Sequence, residues 1–253
     1  TFQVGSNITV KIEFGDVMFG WTSNDTMWGS DCVDLMFGND GLDSMHGKTG
    51  MDFMFGQTDA DKMWGDAGGG VFINTIQISP PIGNFMFGNA EKDEMWGGVD
   101  IDFMWGNDGA DTMHGDDNID LMWGNRDKDT MNGNDGVDFM FGNDDADVMF
   151  GNDDADVMLG NAGADVMLGN DGLDVMSGGN DADVMNGNDG VDFMIGNAGA
   201  DMMNGNDGFD FMSGGNDADV MNGNDGVDFM FGNAGIDMMN GNDGLDVMSG
   251  GND

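Results

Sequence analysis

The chain has almost no positive charge. Six Lys and Arg stand against 49 Asp and Glu in 253 residues, a formal net charge of −43. Such a chain repels nucleic acid and anionic membrane surfaces. It has no apolar run near the roughly 20 residues of a membrane-spanning helix. Cys32 is the single cysteine, which excludes an internal disulfide and a Cys-based zinc site. Proline occurs twice and tyrosine never. Glu is confined to Glu13, Glu91 and Glu94, so nearly every acid is Asp. There is no His-Glu-x-x-His, no Gly-x-Ser-x-Gly and no phosphate loop. EF-hands are excluded too, since their loop ends in a Glu that is missing here. Catalysis within the chain is therefore not expected.

What is present is a strict period. Met recurs every nine residues from Met18 to Met63 and again from Met86 to Met248, 25 in all. Only Met51, Met202 and Met238 fall off this grid. A Gly stands two residues after each grid Met, in all 25 cases. An Asp stands two before, in 24 of 25; the exception is Asn84. Residues 151–186, 187–222 and 223–253 are near copies at a spacing of 36, a block of four nonapeptides. We number the unit 1 to 9 from the Gly, so that Asp is position 6 and Met position 8. Positions 1 to 6 are rich in Gly, Asn and Asp, which tolerate a left-handed backbone. Positions 7 to 9 form a short apolar strand, as in Phe139-Met140-Phe141. Two units make a coil of 18 residues with two opposed sheets.

The grid breaks once, between Met63 and Met86. Phe72, nine after Met63, reads as a degenerate repeat, with Gly70 where Asp belongs. Residues 74–83 contain Pro80 and Pro81 and predict an irregular loop, since proline is excluded from interior strands. At the N-terminus Ile8, Val10, Ile12 and Phe14 alternate with polar residues, which predicts a strand capping the first coil. The expected organisation is a capping strand over 1–14, a first block over 15–73, the loop over 74–83 and a second block over 84–253 of the same solenoid. The last repeat stops in mid-unit at Asp253, which predicts a piece of a longer protein.

Gly-Asn-Asp-Gly-x-Asp-x-Met-x resembles the RTX (repeats-in-toxin) nonapeptide, Gly-Gly-x-Gly-x-Asp-x-U-x with U a large apolar residue. The resemblance covers nearly all of residues 15–253. It implies an all-β fold, a right-handed parallel β-roll that binds calcium between equivalent turns of successive coils. The implied side-chain ligands are the position 6 carboxylates, with loop carbonyls supplying the rest. In the first block these are Asp16, Asp25, Asp34, Asp43, Asp52 and Asp61. In the second they are Asp93, Asp102, Asp111, Asp120, Asp129, Asp138, Asp147, Asp156, Asp165, Asp174, Asp183, Asp192, Asp201, Asp210, Asp219, Asp228, Asp237 and Asp246. Calcium suits such turns, being a hard cation that takes six to eight oxygens in flexible geometry. Some 20 ions would carry roughly +40, close to the complement of the formal charge. Every Lys and Arg lies at or before Lys128, so the later half is expected to depend on calcium most. The sequence departs from the family in having Asn more often than Gly at position 2 and Met almost throughout position 8.

Strand alternation points position 8 inward and positions 7 and 9 outward. On one sheet position 7 is apolar throughout, including Phe53, Phe103, Phe139, Phe193, Phe211 and Phe229. That strip exceeds the few hundred Å² of apolar surface that soluble monomers usually expose, which predicts self-association or cover by another protein domain. Trp28, Trp64, Trp96, Trp105 and Trp123 occupy position 9, as a stacked ladder or a carbohydrate platform. His46 and His114, also at position 9, read as surface residues rather than ligands. The Met column reads as core rather than a soft-metal site.

RTX resemblance implies a secreted or cell-surface protein that folds on meeting calcium after export. Three functions fit: an extracellular filament, surface-layer or adhesin component; a secretion and folding module of an enzyme or toxin; and an ice-binding solenoid. The last would use the Asn column Asn186, Asn204, Asn222 and Asn240.

Overall fold

The computed structural model describes residues 2–4, 8–10, 14–65, 72–73, 76–77 and 82–252, with side chains over 15–65 and 83–252. The chain divides into two compact units, Thr1–Met122 and Trp123–Asp253. Each is a parallel β-solenoid whose coils alternate between two sheets. In the first unit, strands Phe14–Thr22, Val33–Asp40, Phe53–Thr58, Ile82–Ala90 and Ile101–Asp108 form one sheet. Thr26–Trp28, Ser44–His46, Lys62–Trp64, Glu94–Val99 and Thr112–Asp117 form the other. In the second unit each sheet carries seven strands, from Phe139–Asp144 to Val247–Ser249 and from Thr130–Asp135 to Met238–Gly244. Pairing keeps register from coil to coil, with Met140 against Met158 and Met149 against Met167. Two nonapeptides are therefore the coil length.

Strands are longer than the apolar triplet. Phe139–Asp144 runs six residues, through Gly142, Asn143 and Asp144, with every second residue buried. Alternation therefore continues from position 6 to position 1 of the next unit. Asp, Met and Gly all face inward, while positions 7, 9 and 2 face outward. The core is a column of Met, from Met36 to Met230 at 0% exposure. One flexible, unbranched side chain per strand fills the narrow space between the sheets.

The coil turns where two residues take positive φ. Asn134 and Gly136 have φ of 76° and 134°, and Asn143 and Asp145 have 83° and 73°. Position 2 therefore selects Asn, and position 4 selects Gly or Asp. Position 4 is also where coils touch. A methyl group on Gly163 would lie 1.9 Å from the carbonyl oxygen of Asp145 in the preceding coil.

The roll continues directly across the break in the grid. Strand Ile82–Ala90 pairs directly with Phe53–Thr58, and Glu94–Val99 with Lys62–Trp64. The expectation that Phe72 continues the roll is not met. Phe72–Ile73 pairs antiparallel with Ile76–Gln77, and Ile73 pairs with Val10. Ile8–Val10 in turn pairs antiparallel with Phe2–Val4. These four short strands form a separate antiparallel sheet, because alternating apolar residues without the Gly and Asp grid favour ordinary pairing. Pro80, Pro81 and Ile12 lie outside the described residues.

Candidate metal centre

Asp at position 6 precedes the core Met by two residues, so the pleat carries its side chain to the same inner face. Of the 24 predicted carboxylates, 20 are exposed by no more than 1%. The others, Asp16, Asp25, Asp237 and Asp246, belong to the coils at either end. The sequence places these Asp in turns; the structure places them where the turn meets the core.

Beyond the first coil these carboxylates join neighbouring coils. Oδ1 of Asp43 accepts the backbone N–H of Asp25 at 2.7 Å, and Oδ1 of Asp61 accepts that of Asp43 at 2.8 Å. The same bond recurs every nine residues in the second unit, from Asp147 at 2.8 Å to Asp246 at 3.2 Å. The backbone carbonyls of the same Asp are used as well: that of Asp138 accepts from Val157 N–H at 2.8 Å. The ladder therefore passes through the side chain at position 6.

The second oxygen is different. Oδ2 of Asp43, Asp61, Asp93 and Asp102 is buried without a hydrogen-bond partner among the described residues. So is Oδ2 of every grid Asp from Asp147 to Asp237. Its surroundings follow from the invariant position 1 Gly. A methyl group on Gly160 would lie 2.1 Å from Oδ2 of Asp165 and 2.7 Å from the carbonyl oxygen of Gly178. The pattern repeats at Gly151 with Asp156 Oδ2 and the Gly169 carbonyl, and at Gly187 with Asp192 Oδ2 and the Gly205 carbonyl. A carboxylate oxygen and a carbonyl oxygen of the next coil thus border one small space. With the carboxyl ionised, both are acceptors and neither brings a hydrogen. The unbroken Gly two residues after Met is the sequence signal for this cradle, and turn chemistry alone does not reveal it.

Burial penalises ionisation of these groups. It pushes the carboxyls of Asp61, Asp147, Asp183 and Asp210 up to about 7. Asp93 and Asp156 rise to about 8. The N–H from the neighbouring coil opposes the rise, and adjacent Asp charges add to it. A cation bordering Oδ2 would remove the penalty.

The donor set fits calcium: anionic and neutral oxygens, with no nitrogen or sulfur. Among the described residues no three Asp, Glu, His or Cys side chains gather as a metal cluster. The column supplies one carboxylate per turn, so backbone carbonyls must complete any coordination shell.

The comparisons agree. The RTX calcium-binding nonapeptide repeat (4 copies) matches residues 13–45, 37–72, 87–122, 123–158, 159–194, 195–230 and 222–253. The chain belongs to this RTX repeat family. No curated protein matches it. One solved structure similar to this RTX chain is a hyperactive, Ca2+-dependent, beta-helical antifreeze protein from an Antarctic bacterium. Identity is 13%, the TM-score is 0.61, and the match covers 92% of this chain and 83% of that one. At that identity the likeness is one of fold. No helix of the described residues is long and apolar enough to cross a membrane.

Two outward ladders complete the site's setting. On one face Trp28, His46, Trp64, Trp96 and His114 stack in sequence. Ring centroids are 3.9, 4.3, 5.1 and 5.6 Å apart, with planes within 8° of parallel. Within the file the ring faces cover one another, as in the ladder alternative, and Trp28 at its end is 56% exposed. In the second unit, on the sheet that runs from Thr130–Asp135 to Met238–Gly244, Asn186, Asn204, Asn222 and Asn240 pass amide hydrogen bonds at 2.8–2.9 Å. A parallel file links Asn170, Asn188, Asn206, Asn224 and Asn242 at 3.1–3.5 Å. On the other sheet the predicted apolar strip is half-buried at Phe53, Phe103, Phe139, Phe211 and Phe229, while Phe193 is 39% exposed. Phe85 stacks on Phe53 and Phe103 at 5.0 and 4.8 Å, so much of the strip is covered by its own column.

Proposed function

We propose that this RTX β-solenoid is a calcium-folded extracellular structural or adhesive element. The carrying observation is the file of buried Oδ2 atoms, which at Asp156, Asp165 and Asp192 border a Gly carbonyl of the neighbouring coil, two acceptors side by side once the carboxyl is ionised. The position 6 carboxylates and position 1 carbonyls would hold the ions, on the order of 20 along the chain. Bound calcium supplies positive charge where two acceptors meet. The protein's own residues align the acceptors. Asp Oδ1 is held by the N–H of one coil, which aims Oδ2 at the next, and Gly leaves the space open. Without calcium the ionised column repels itself and its desolvation is uncompensated, so folding and binding are one event. Such coupling suits export: unfolded where calcium is scarce, folded where it is millimolar. The partly exposed apolar strip on one sheet would then mediate self-association or contact with another domain. Sedimentation in millimolar calcium tests this last part; a strictly monomeric species at high concentration contradicts it.

The Asn ladders favour a second reading. Two parallel files of hydrogen-bonded amides at the strand spacing of about 4.8 Å give a regular, polar face. Such a face suits an ordered surface such as ice. Thermal hysteresis decides: a freezing-point gap lost on Asn204→Leu and Asn222→Leu supports ice binding, and no gap in the parent protein excludes it.

A further inference from the structure

One rung of the carboxylate column is not a carboxylate. Asn84 takes the position 6 place and is fully buried. Its Oδ1 accepts the backbone N–H of Asp52 at 3.2 Å, the bond that Asp makes elsewhere. Its own N–H donates to Oδ1 of Asp102, continuing the ladder. The amide nitrogen therefore occupies the slot of Oδ2. A methyl group on Gly65 would lie 2.2 Å from Nδ2 of Asn84 and 2.4 Å from the carbonyl oxygen of Gly97. This is the same cradle as that of Gly160, Asp165 and Gly178, with nitrogen in place of oxygen. Nδ2 donates to that carbonyl at 3.4 Å and to Oδ1 of Asp102 at 3.0 Å. With Oδ1 fixed as acceptor by Asp52, the network leaves the amide no other orientation. Every polar atom of the Asn84 side chain is satisfied by protein alone.

Its place in the sequence is also distinctive. In an ordinary unit position 1 and position 6 stand close together in sequence, as Gly160 and Asp165 do, whereas residues 66–83 lie between Gly65 and Asn84. Asn84 thus falls in the unit where the break in the grid separates position 6 from position 1.

We propose that Asn84 is a metal-free rung, its amide N–H supplying in this turn the positive charge that calcium supplies in the others. This rests on the calcium reading above. It explains how the coils on either side of the break stack without an ion at that rung. It also predicts that an Asn at position 6 elsewhere uncouples a turn from calcium.

Two variants test it, with hydrogen exchange and native mass spectrometry as readouts. Asn84→Asp turns a donor into a second acceptor facing the Gly97 carbonyl. At limiting calcium, exchange at the Asp52 and Phe85 amides is expected to speed up about tenfold. The Val157 amide in the other unit serves as the unaffected control. Asp165→Asn copies the amide into an ordinary turn. It is expected to keep the fold, lower the bound-calcium count and slow exchange at the Asp147 amide in chelator. Unchanged exchange in Asn84→Asp, or an unchanged ion count in Asp165→Asn, overturns the proposal. The second variant decides alone if the first does not fold. A parent protein that binds no calcium overturns the underlying reading as well, and so separates the two failures.

Discussion

Gly160→Ala is the sharpest small perturbation of the cradle. The added methyl group would sit 2.1 Å from Oδ2 of Asp165, 2.8 Å from its Cγ and 2.7 Å from the Gly178 carbonyl oxygen. None of these contacts can be accommodated, so the Asp165 carboxylate must turn away. It then releases the N–H of Asp147, held at 2.8 Å. A buried hydrogen bond to a charged acceptor contributes about 1.5–3 kcal/mol, and forced overpacking costs about 1–3 kcal/mol more. We expect a total near ~3 kcal/mol in saturating calcium, together with loss of at least one ion. Gly250→Ala is a like-for-like control. It holds the same repeat position in the last coil, but its methyl group would meet only Met239 Cε at 3.8 Å. That change should stay within about 0.5 kcal/mol. Solenoid coils open locally, so the assay is native-state hydrogen exchange over Val157–Ala162 and Val166–Gly172, with ion counting by mass spectrometry. Equal effects of the two substitutions, or a full ion count in Gly160→Ala, would refute the account of the cradle.

Other outcomes follow from the same geometry. Calcium-free protein should lose stability as pH rises. The buried carboxyls titrate at about 6 to 8 when folded, against 3.8 when exposed, so the folded state holds its protons more tightly. That stability is present at about pH 4 and is lost as pH rises through 6 to 8. Circular dichroism in chelator at the two extremes measures it, and greater β signal at pH 8 than at pH 4 contradicts it. Met158→Ala, at a fully buried site, should cost about 2–5 kcal/mol, whereas Met248→Ala, at 50% exposure, should cost far less. Thermal melts in calcium compare them. The region after Lys128 carries no basic residue and should open first as calcium is withdrawn; simultaneous loss of both units by limited proteolysis argues otherwise.

Much of this was legible in the sequence because the repeat is strict. The Met column gave the inward phase, and the coil register follows from two nonapeptides per coil. The Asp phase located the candidate site. Its orientation was less plain. Gly-Asn-Asp runs read as turn, yet burial alternates from Asp138 through Met140 to Gly142, so Asp138 faces the core alongside Met140. Parity was the clue, since Asp, Met and Gly fall at even separations. The aromatic ladder was legible at position 9 as one of two alternatives, and the parallel rings of Trp28, His46 and Trp64 match it. Neighbours in a column come from successive coils, not from successive units, so they are not adjacent in the repeat. The pairing of Phe72–Ile73 with the N-terminal strand was invisible, since antiparallel pairing between segments so distant in sequence leaves no periodic trace.

Calcium titration of initially chelated protein at pH 8, followed by far-ultraviolet circular dichroism with ion counting at each step, tests the central claim most directly. The account predicts little β structure in chelator, a cooperative gain as calcium enters and an endpoint on the order of 20 ions. A full β signal in excess chelator at that pH, or folding without bound calcium, would contradict it.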